Sequence, residues 1–419
     1  MKISFLLVLT LAGASAAIAD EPTLTFDAAI ARALDRAPQM EAQRAAVESA
    51  EAAQTSAGRL PDPALLVGVE NVPLSGPDAF STTSDSMTMT KVGLMQTFPS
   101  GSQRKGQRER ASAETTLARA EMGATRASVA RETAVAWLKF ASAREARLRL
   151  AALEGDLRLG ADAARASLRA GRGSAADALE AEAAVASLKS RLLQLRGDEK
   201  RAEVELARWI GADAIATPGP LPSLDVLPIS VEALKEFAHL HAEIAPLDAR
   251  VAVAEADLEL ARAARHPNWG VELTYGKRGP AYDDMGTLMF TVDLPLFPGN
   301  RQNPVIDARS ADLRKARAQR EAEISMHGAE MNDMVISWQQ LGEQLQFLET
   351  DQLPLARERS RAALGGFRAG NSEARTIVDA FASETELLLT RSALTVERGI
   401  AWSYLRYLQT GADANGSTP

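Results

Sequence analysis

The amino-acid sequence predicts a mainly α-helical fold with a small β part, in which two long-helix hairpins arise from a tandem duplication. Three observations support this prediction. Alanine-rich stretches run without proline, as between residues 103 and 168. Four short segments have the composition of β-strands. Several motifs recur in one order at a spacing of roughly two hundred residues, which is too long for the short solenoid repeats.

The recurring motifs indicate that an ancestral segment was duplicated once. The matched pairs are Leu24-Thr25-Phe26-Asp27 and Ile229-Ser230-Val231-Glu232, Val135-Ala136-Trp137 and Ile336-Ser337-Trp338, and Arg169-Ala170-Gly171 and Arg368-Ala369-Gly370. Each match alone is weak in an alanine-rich chain, but a common order and a nearly constant offset are not expected by chance. We therefore predict a first repeat at 20–210, a linker at 211–230, a second repeat at 231–411 and a tail at 412–419.

Helices are predicted in the same order in both repeats. The predicted helices are 27–59, 103–168 and 175–210 in the first repeat, and 231–265, 302–367 and 373–409 in the second. A Ser or Thr followed two residues later by an acid marks the start of the first helix in each repeat. Pro38 is the one breaker inside the first helix, and Pro354 predicts a kink or a junction in the second long helix.

Each repeat also carries one predicted strand pair. The hairpins cover 64–98 and 268–297, with strands at 64–72, 87–98, 268–277 and 287–297. The length of each strand is close to the ~10 residues that a tilted outer-membrane strand needs. Four strands leave open edges in lipid, so a membrane role requires several copies, and periodicity does not choose between two copies and three. The alternative is two ordinary hairpins in a soluble periplasmic protein.

The N-terminus has the pattern of a secretory signal peptide. Lys2 precedes an apolar run from Ile3 to Leu11, and small residues ending at Ala19 precede an acid. The apolar run is about half of the ~20 residues that span a bilayer as a helix, which argues against a membrane anchor. We predict that residues 1–19 are removed on export and that no later segment is a transmembrane helix.

The composition offers no chemistry for an enzyme. The chain has no cysteine and therefore no thiolate. Among its four histidines, only His239 and His241 are close in sequence, and residues two apart on a helix face different directions. The formal charge of −8 becomes −9 when Lys2 leaves with the signal peptide, which argues against a nucleic-acid partner. We therefore expect no enzyme activity, no cofactor and no bound metal.

Methionines near the strands are a separate case. Met87, Met89, Met285 and Met289 lie in or beside the predicted strands. Thioethers are soft ligands that suit Cu(I). Methionine in a strand more often faces lipid or fills a core, so we do not assign these residues as ligands.

Local motifs around the strands and helix ends resemble the outer-membrane efflux factors of the TolC family. These motifs are Leu60-Pro61-Asp62-Pro63, Val69-Glu70-Asn71, Gln96-Thr97-Phe98-Pro99 and the two Arg-Ala-Gly tripeptides. The resemblance covers nearly the whole mature chain, from Leu24 to Gly411. It is most similar to the subgroup paired with heavy-metal RND-type pumps, although this chain lacks the lipidated N-terminal Cys that many members of that subgroup carry.

The resemblance implies a homotrimer in the outer membrane of a Gram-negative cell. Its twelve strands would form one transmembrane β-barrel in the lipid, and its helices would form an α-barrel in the periplasm. A periplasmic adaptor (membrane fusion protein) and an inner-membrane RND-type pump would supply the substrate. The implied function is a passive exit duct for heavy-metal cations or, alternatively, for drugs and other small molecules. A soluble periplasmic coiled-coil connector is a further alternative.

The resemblance also assigns adaptor docking to the helix-to-helix turns. The corresponding residues are Arg169, Gly171 and Arg172 in the first repeat, and Arg368, Gly370 and Asn371 in the second. Glycine suits these positions because a helix end that reverses the chain favours positive φ. The alternative is that the glycines are simple helix caps.

Acidic residues nine positions after each tip glycine are candidates for a pore gate. They are Glu180 and Asp379, and Asp177 lies one turn before Glu180 on the same face. The resemblance implies that such acids ring the pore entrance, where threefold symmetry would make three charges of each and attract cations. The alternative is a solvated acidic face on an exposed helix.

Overall fold

The computed structural model of the protein describes residues 23–236 and 241–408. The predicted signal peptide, His239 and the predicted C-terminal tail lie outside the described residues. The chain divides into two compact units, which are described separately below. The first unit contains residues up to 33, 133–223 and 347–396, and the second contains 34–132, 224–346 and the residues from 397 onward.

The first repeat has the predicted order of elements. They are strand β1 (Thr23–Leu24), helices α1 (Phe26–Arg36) and α2 (Pro38–Ser56), strands β2 (Ala64–Glu70) and β3 (Met89–Phe98), and helices α3 (Gly101–Arg169) and α4 (Ala175–Ile210). A short strand β4 (Thr217–Pro218) follows and pairs in parallel with β1. Helix α3 has 69 residues, as its proline-free sequence predicts.

The second repeat continues in the same order. Its elements are helices α5 (Val231–Glu236) and α6 (Ala245–Ala263), strands β5 (Trp269–Lys277) and β6 (Met285–Val292), and helices α7 (Gln302–Phe347), α8 (Leu353–Arg368) and α9 (Ala374–Arg406). Strand β6 ends five residues before the predicted limit of 297. Pro295 and Pro298 follow it, and proline has no N–H to donate to a sheet.

Two segments that were predicted as single helices are interrupted, and both corrections involve proline. The segment 27–59 breaks at Ala37, whose ψ of 123° is extended, and Pro38 opens α2. Proline is accepted in a first turn because that turn has no partner for its N–H. In the segment 231–265, α5 spans Val231–Glu236, residues 241–244 are not helical, and Pro246 stands in the first turn of α6.

The second long helix is interrupted just before Pro354, as predicted. Residues Leu348–Gln352 form a π-helix between α7 and α8. A π-helix adds a residue to one turn, which shifts the hydrogen-bond ladder where proline cannot contribute. The corresponding helix of the first repeat, α3, contains no proline and is continuous.

Strands β2, β3, β5 and β6 form one antiparallel sheet in the order β2-β3-β5-β6. Because side chains alternate along a strand, the register divides the sheet into two faces. One face, called the apolar face here, has the exposed side chains Leu65, Val67, Val69, Val92, Leu94, Leu273, Tyr275, Leu288, Phe290 and Val292. The opposite face, called the polar face, has Glu70, Lys91, Glu272, Thr274, Thr287, Thr291 and several glycines and methionines.

The first unit has a core of leucines and small residues between its helices. The buried members of one cluster include Leu150, Leu157, Leu188, Leu192, Leu348, Leu353, Leu364, Ile377 and Phe381. Trp137 is fully buried, and its indole Nε1 donates a hydrogen bond to the Leu24 carbonyl at 3.1 Å. The same ring meets Phe26 edge-on, with centroids 5.4 Å apart. The start of the first repeat is thereby fixed to α3.

The second unit repeats this contact with the equivalent tryptophan. The Trp338 indole Nε1 donates to the Leu224 carbonyl at 2.7 Å, and Trp338 packs beside a cluster of Leu234, Met331, Val335, Leu405 and Leu408. The helix starts are also alike. The Thr25 hydroxyl accepts from the Ala28 N–H at 3.3 Å, and the Ser230 hydroxyl accepts from the Ala233 N–H at 3.2 Å. Equivalent residues therefore make equivalent bonds in the two repeats.

None of the helices in the described part of the chain has both the length and the apolar character needed to cross a membrane.

Candidate functional site

The two helix-to-helix turns end their first helix in the same way. In the first repeat, the Arg172 N–H donates to the Ser167 carbonyl at 2.9 Å and the Gly171 N–H donates to the Leu168 carbonyl at 3.0 Å. In the second repeat, the Asn371 N–H donates to the Gly366 carbonyl at 2.8 Å. These bonds define a Schellman motif, which satisfies the last carbonyls of a helix.

Glycine is required at the centre of each turn. Gly171 has φ of 70° and Gly370 has φ of 78°, and both angles are in the left-handed region that L-residues rarely adopt. No other atom lies within 4 Å of where a Cβ would stand at either glycine. The requirement is therefore one of backbone conformation rather than of space, as the sequence predicted.

The turn of the first repeat is followed by a complete capping box. The Ser174 hydroxyl accepts from the Asp177 N–H at 3.0 Å, and the Asp177 carboxylate accepts from the Ser174 N–H at 3.2 Å. This pair satisfies two N–H groups at the start of α4. Asp177, a candidate for the gate, therefore has a structural role at the N-terminus of its helix.

Both turns contribute to one cavity in the first unit. Its volume is about 370 Å³, and its lining includes Arg172, Gly173, Asp177, Phe367, Gly370, Asn371 and Glu373. The structure thus brings together four of the predicted residues, Arg172 and Asp177 from one repeat and Gly370 and Asn371 from the other. Arg169, Gly171, Arg368, Glu180 and Asp379 do not line this cavity.

The predicted docking arginines are exposed. Arg169 and Arg368 occupy the last residue of α3 and of α8, and Arg172 follows the first turn. A cation in the last helical turn is favoured by the helix dipole, which accounts for part of their placement. Their guanidinium groups remain accessible for a partner.

The acidic candidates differ in their surroundings. Asp379 is exposed and lies 3.9 Å from the Arg375 guanidinium, one turn earlier on α9. Glu180 is partly buried on α4. A neighbouring acid that the sequence did not single out, Glu182, bonds Arg165 of α3 at 2.6 Å, and this hydrogen bond lowers the pKa of its carboxyl. The pair links α3 to α4 near their turn.

A second charge network lies deeper in the first unit. Arg391 of α9 bonds Glu349 of the π-helix at 2.6 Å and Glu145 of α3 at 3.2 Å. Glu145 also bonds Arg149 at 2.6 Å. Arg391 is only 16% exposed, so its two ion pairs are less screened by water than surface pairs. This network joins helices from both repeats and was not predicted.

A histidine pair in the second unit was also missed. The His241 Nδ1 and the His327 Nε2 are 2.8 Å apart, and the His327 Nδ1 is 3.0 Å from the Glu243 carboxylate. Glu243 also pairs with Arg131 at 2.7 Å. The hydrogen bond from His327 and the ion pair with Arg131 lower the pKa of Glu243 to about 2, although burial opposes them.

The expectation that His241 lies on a helix is wrong. His241 lies between α5 and α6, and its partner is 86 residues away in sequence. No motif could have signalled this pair. Within the described residues, no group of three or more His, Cys, Asp or Glu side chains is arranged to hold a metal ion.

These features define a class of protein. Long helix hairpins end in matched turns, and an antiparallel sheet exposes an apolar face, which is typical of channel subunits of the outer membrane. The chain belongs to the outer membrane efflux protein family, whose sequence profile matches residues 29–212 and 234–406. It is therefore an efflux channel protein of the outer membrane, with its helical part in the periplasm. None of the curated proteins compared with it matches significantly.

Solved structures show the same fold at low sequence identity. The outer-membrane channel OprN has a TM-score of 0.78 and 18% identity, over 92% of this chain and 90% of that one. The outer membrane protein VceC from Vibrio cholerae has a TM-score of 0.75 and 20% identity, over 91% and 94%. The open-state MtrE channel of Neisseria gonorrhoeae has a TM-score of 0.75 and 18% identity, over 92% and 89%.

Proposed function

We propose that three copies of this chain assemble into one duct that serves as the exit of a tripartite efflux system. Each of the two repeats, 20–210 and 231–411, then contributes one helix hairpin and one strand pair per copy. The observation that carries this proposal is the sheet with its exposed apolar face.

The sheet is incomplete as it stands. Strands β2 and β6 are its outer strands, so each has one edge without a strand partner within the described residues. The large side chains of the apolar face are mostly exposed, with Val67 at 72% and Phe290 at 67%. Exposed edges and a wide apolar face are unstable in water. If β2 of one copy pairs with β6 of the next inside lipid, the open strand edges gain partners and the apolar face contacts lipid. Three such copies give twelve strands.

The helix turns are the proposed docking surface for a periplasmic adaptor, which links the duct to an inner-membrane RND-type pump. The shared cavity and the exposed arginines Arg169, Arg172 and Arg368 support this assignment. Two equivalent turns per chain would offer six docking positions in a trimer. A partner with acidic groups would complement them, because arginine binds carboxylates with two parallel hydrogen bonds.

The gate is proposed to include Asp379, Glu180 and Asp177. Threefold symmetry would place each acid in a ring of three, which favours cations over anions. Asp379 is the best supported of the three because its carboxylate is exposed and is paired only loosely with Arg375. Heavy-metal cations are the proposed cargo, and drugs or other small molecules are the alternative.

Disulfide cross-linking tests the assembly cleanly because the chain has no cysteine of its own. Val67→Cys in β2 is combined in turn with Gly286→Cys, Leu288→Cys or Phe290→Cys, which scan the apolar face of β6. Oxidation of outer membranes is expected to give covalent trimers from one of these pairs. Each single variant is the control and should remain monomeric on denaturing gels.

Conductance measurements in planar lipid bilayers test whether the assembled protein forms a channel. The purified, uncross-linked protein should form stable potassium-conducting pores. A monomer in detergent that neither cross-links nor conducts would rule out the proposed duct, and a covalent dimer as the largest species would rule out the number three.

A further inference from the structure

The methionines of the sheet lie on its polar face, whereas every leucine of the sheet except Leu66 lies on the apolar face. Met89, Met95, Met285 and Met289 are the methionines in the described strands, and the register places all four on the polar face. An apolar side chain that only filled space against lipid would belong on the opposite face. Of the two ordinary roles of a strand methionine, facing lipid and filling a core, the first does not fit these positions.

One pair of methionines surrounds a carboxylate. Met95 of β3 and Met289 of β6 both stand directly opposite Glu272 of the intervening strand β5. Directly opposed residues have Cβ atoms roughly 4.5–5.5 Å apart. Two thioethers and one carboxylate, each on a flexible side chain, are therefore within reach of a single ion above this row.

The other pair meets across a glycine. Gly276 of β5 stands opposite Met285 of β6. The Met89 side chain of β3 reaches over the same glycine, since a Cβ at Gly276 would stand 2.6 Å from the Met89 sulfur. Any side chain at position 276 would displace Met89. The glycine thus leaves room for two thioethers to approach one another from the strands on either side.

The charges on this face suit a monovalent cation. Glu272 supplies one negative charge beside the first methionine pair. Lys91 of β3 stands directly opposite Gly276, in the row of Met285, and its ammonium group is held by the Glu70 carboxylate at 2.8 Å. The positive charge of the lysine is thereby neutralised by a carboxylate on the same face. Along β5 the two rows are four residues apart, or about 13 Å at ~3.3 Å per residue.

We propose that these two methionine sites are stepping positions for the soft monovalent cations Cu(I) and Ag(I) on their way through the duct. Thioethers are neutral, soft ligands that prefer such ions to Zn²⁺, Mg²⁺ or other hard cations. A few weak sites in series favour conduction, because an ion must be able to leave as well as to bind. The inference rests on the proposed duct and specifies its cargo.

Nuclear magnetic resonance of the methionine methyl groups tests the sites directly. The full-length protein in detergent is labelled with [methyl-¹³C]methionine and titrated with silver nitrate. The signals of Met89, Met95, Met285 and Met289 are expected to shift with Ag⁺ but not with Zn²⁺. The control methionines are Met87, which is exposed just before β3, and Met326, which is exposed on α7. Their signals should not move over the same range of concentration.

Variants separate binding from folding. Replacing the four strand methionines by leucine keeps their volume nearly constant and should abolish the specific Ag⁺ response. Met87→Leu combined with Met326→Leu is the matched control and should leave the response intact. Glu272→Gln should weaken Ag⁺ binding about 10-fold at the Met95 and Met289 pair, and leave the pair at Gly276 unchanged.

The outcomes distinguish this inference from the duct itself. Absence of any Ag⁺ shift in the strand methionines, or equal shifts at Met87 and Met326, would overturn the proposed sites even if the protein conducts potassium normally. Specific Ag⁺ shifts in a protein that forms no pores would support the sites and contradict the duct. Potassium conductance of the fourfold leucine variant should match that of the natural sequence, which shows that the variant still assembles.

Discussion

At the scale of single residues, the three acidic gate candidates differ in how much their charge contributes to the stability of the fold. Asp177 completes a capping box with Ser174, so removing its carboxylate would destabilise the N-terminus of α4 by about 1 kcal/mol. Asp379 makes only an exposed pair with Arg375, at 3.9 Å, which stabilises a helix by about 0.3–0.5 kcal/mol. Function at Asp379 can therefore be tested with little effect on stability.

We predict that Asp379→Ala weakens the cation selectivity of the channel while leaving assembly intact. The isosteric Asp379→Asn should act in the same way, because both changes remove three negative charges from a trimeric ring. The measurement is the reversal potential of single channels in a potassium chloride gradient. Glu358→Gln, an exposed acid on α8, is the control. Equal selectivity in all variants would show that Asp379 is only part of a solvated helix face.

Some contacts between single residues could not be predicted from the sequence. Glu180 and Asp379 each follow a tip glycine by nine residues, and Asp177 lies one turn before Glu180, so the sequence could nominate all three. The His241 and His327 pair joins residues 86 positions apart, and Arg391 reaches Glu145 across 246 positions. Such contacts depend on how helices pack, and helix periodicity in one sequence does not specify which helices are neighbours.

At the scale of elements, backbone chemistry explains most of what the sequence predicted. Proline-free stretches became α3 and α4, and the Arg-Ala-Gly tripeptides became Schellman turns with glycine at positive φ. The errors occurred at Pro38 and Pro246, each of which stands in the first turn of a new helix instead of in the middle of a longer one. The alternation of the strands was visible in sequence. That four methionines lie on one face of the sheet could be seen only once the strand pairing was known.

Each turn glycine can be tested against a glycine inside a helix of the same repeat. Gly370→Ala should destabilise its turn by about 1–2 kcal/mol, because alanine is strained at φ of 78° and meets no other atom there. Gly365→Ala, in the interior of α8 with open space around it, should stabilise that helix by up to about 1 kcal/mol. Gly171→Ala and Gly155→Ala form the same comparison in the first repeat.

Amide hydrogen exchange measures this difference locally. The Asn371 N–H donates to the Gly366 carbonyl, so its exchange reports the opening of the turn. Gly370→Ala should speed that exchange by a factor of about 5–30, and Gly365→Ala should slow it or leave it unchanged. If Gly370→Ala exchanged as slowly as the natural sequence, positive φ would not be the reason for glycine at this position.

At the scale of the whole molecule, duplication and assembly multiply each local feature. One chain carries two turns, two strand pairs and two proposed methionine sites, and a trimer would carry six of each. A docking partner that engages six similar turns gains from multivalency, since each added contact is intramolecular once the first has formed. A change in one turn of every chain should therefore weaken docking without abolishing it.

We predict that Arg368→Glu reduces cross-linking of the periplasmic adaptor in cells and leaves trimers intact, and that combining it with Arg169→Glu reduces cross-linking further. Charge reversal replaces attraction to an acidic partner by repulsion, which costs more than loss of the charge alone. Arg359→Glu, an exposed arginine earlier on α8, is the matched control and should have no effect. If the double variant cross-linked to the adaptor as well as the control did, the tip arginines would be helix-terminal charges only, and adaptor recognition would have to reside elsewhere on the duct.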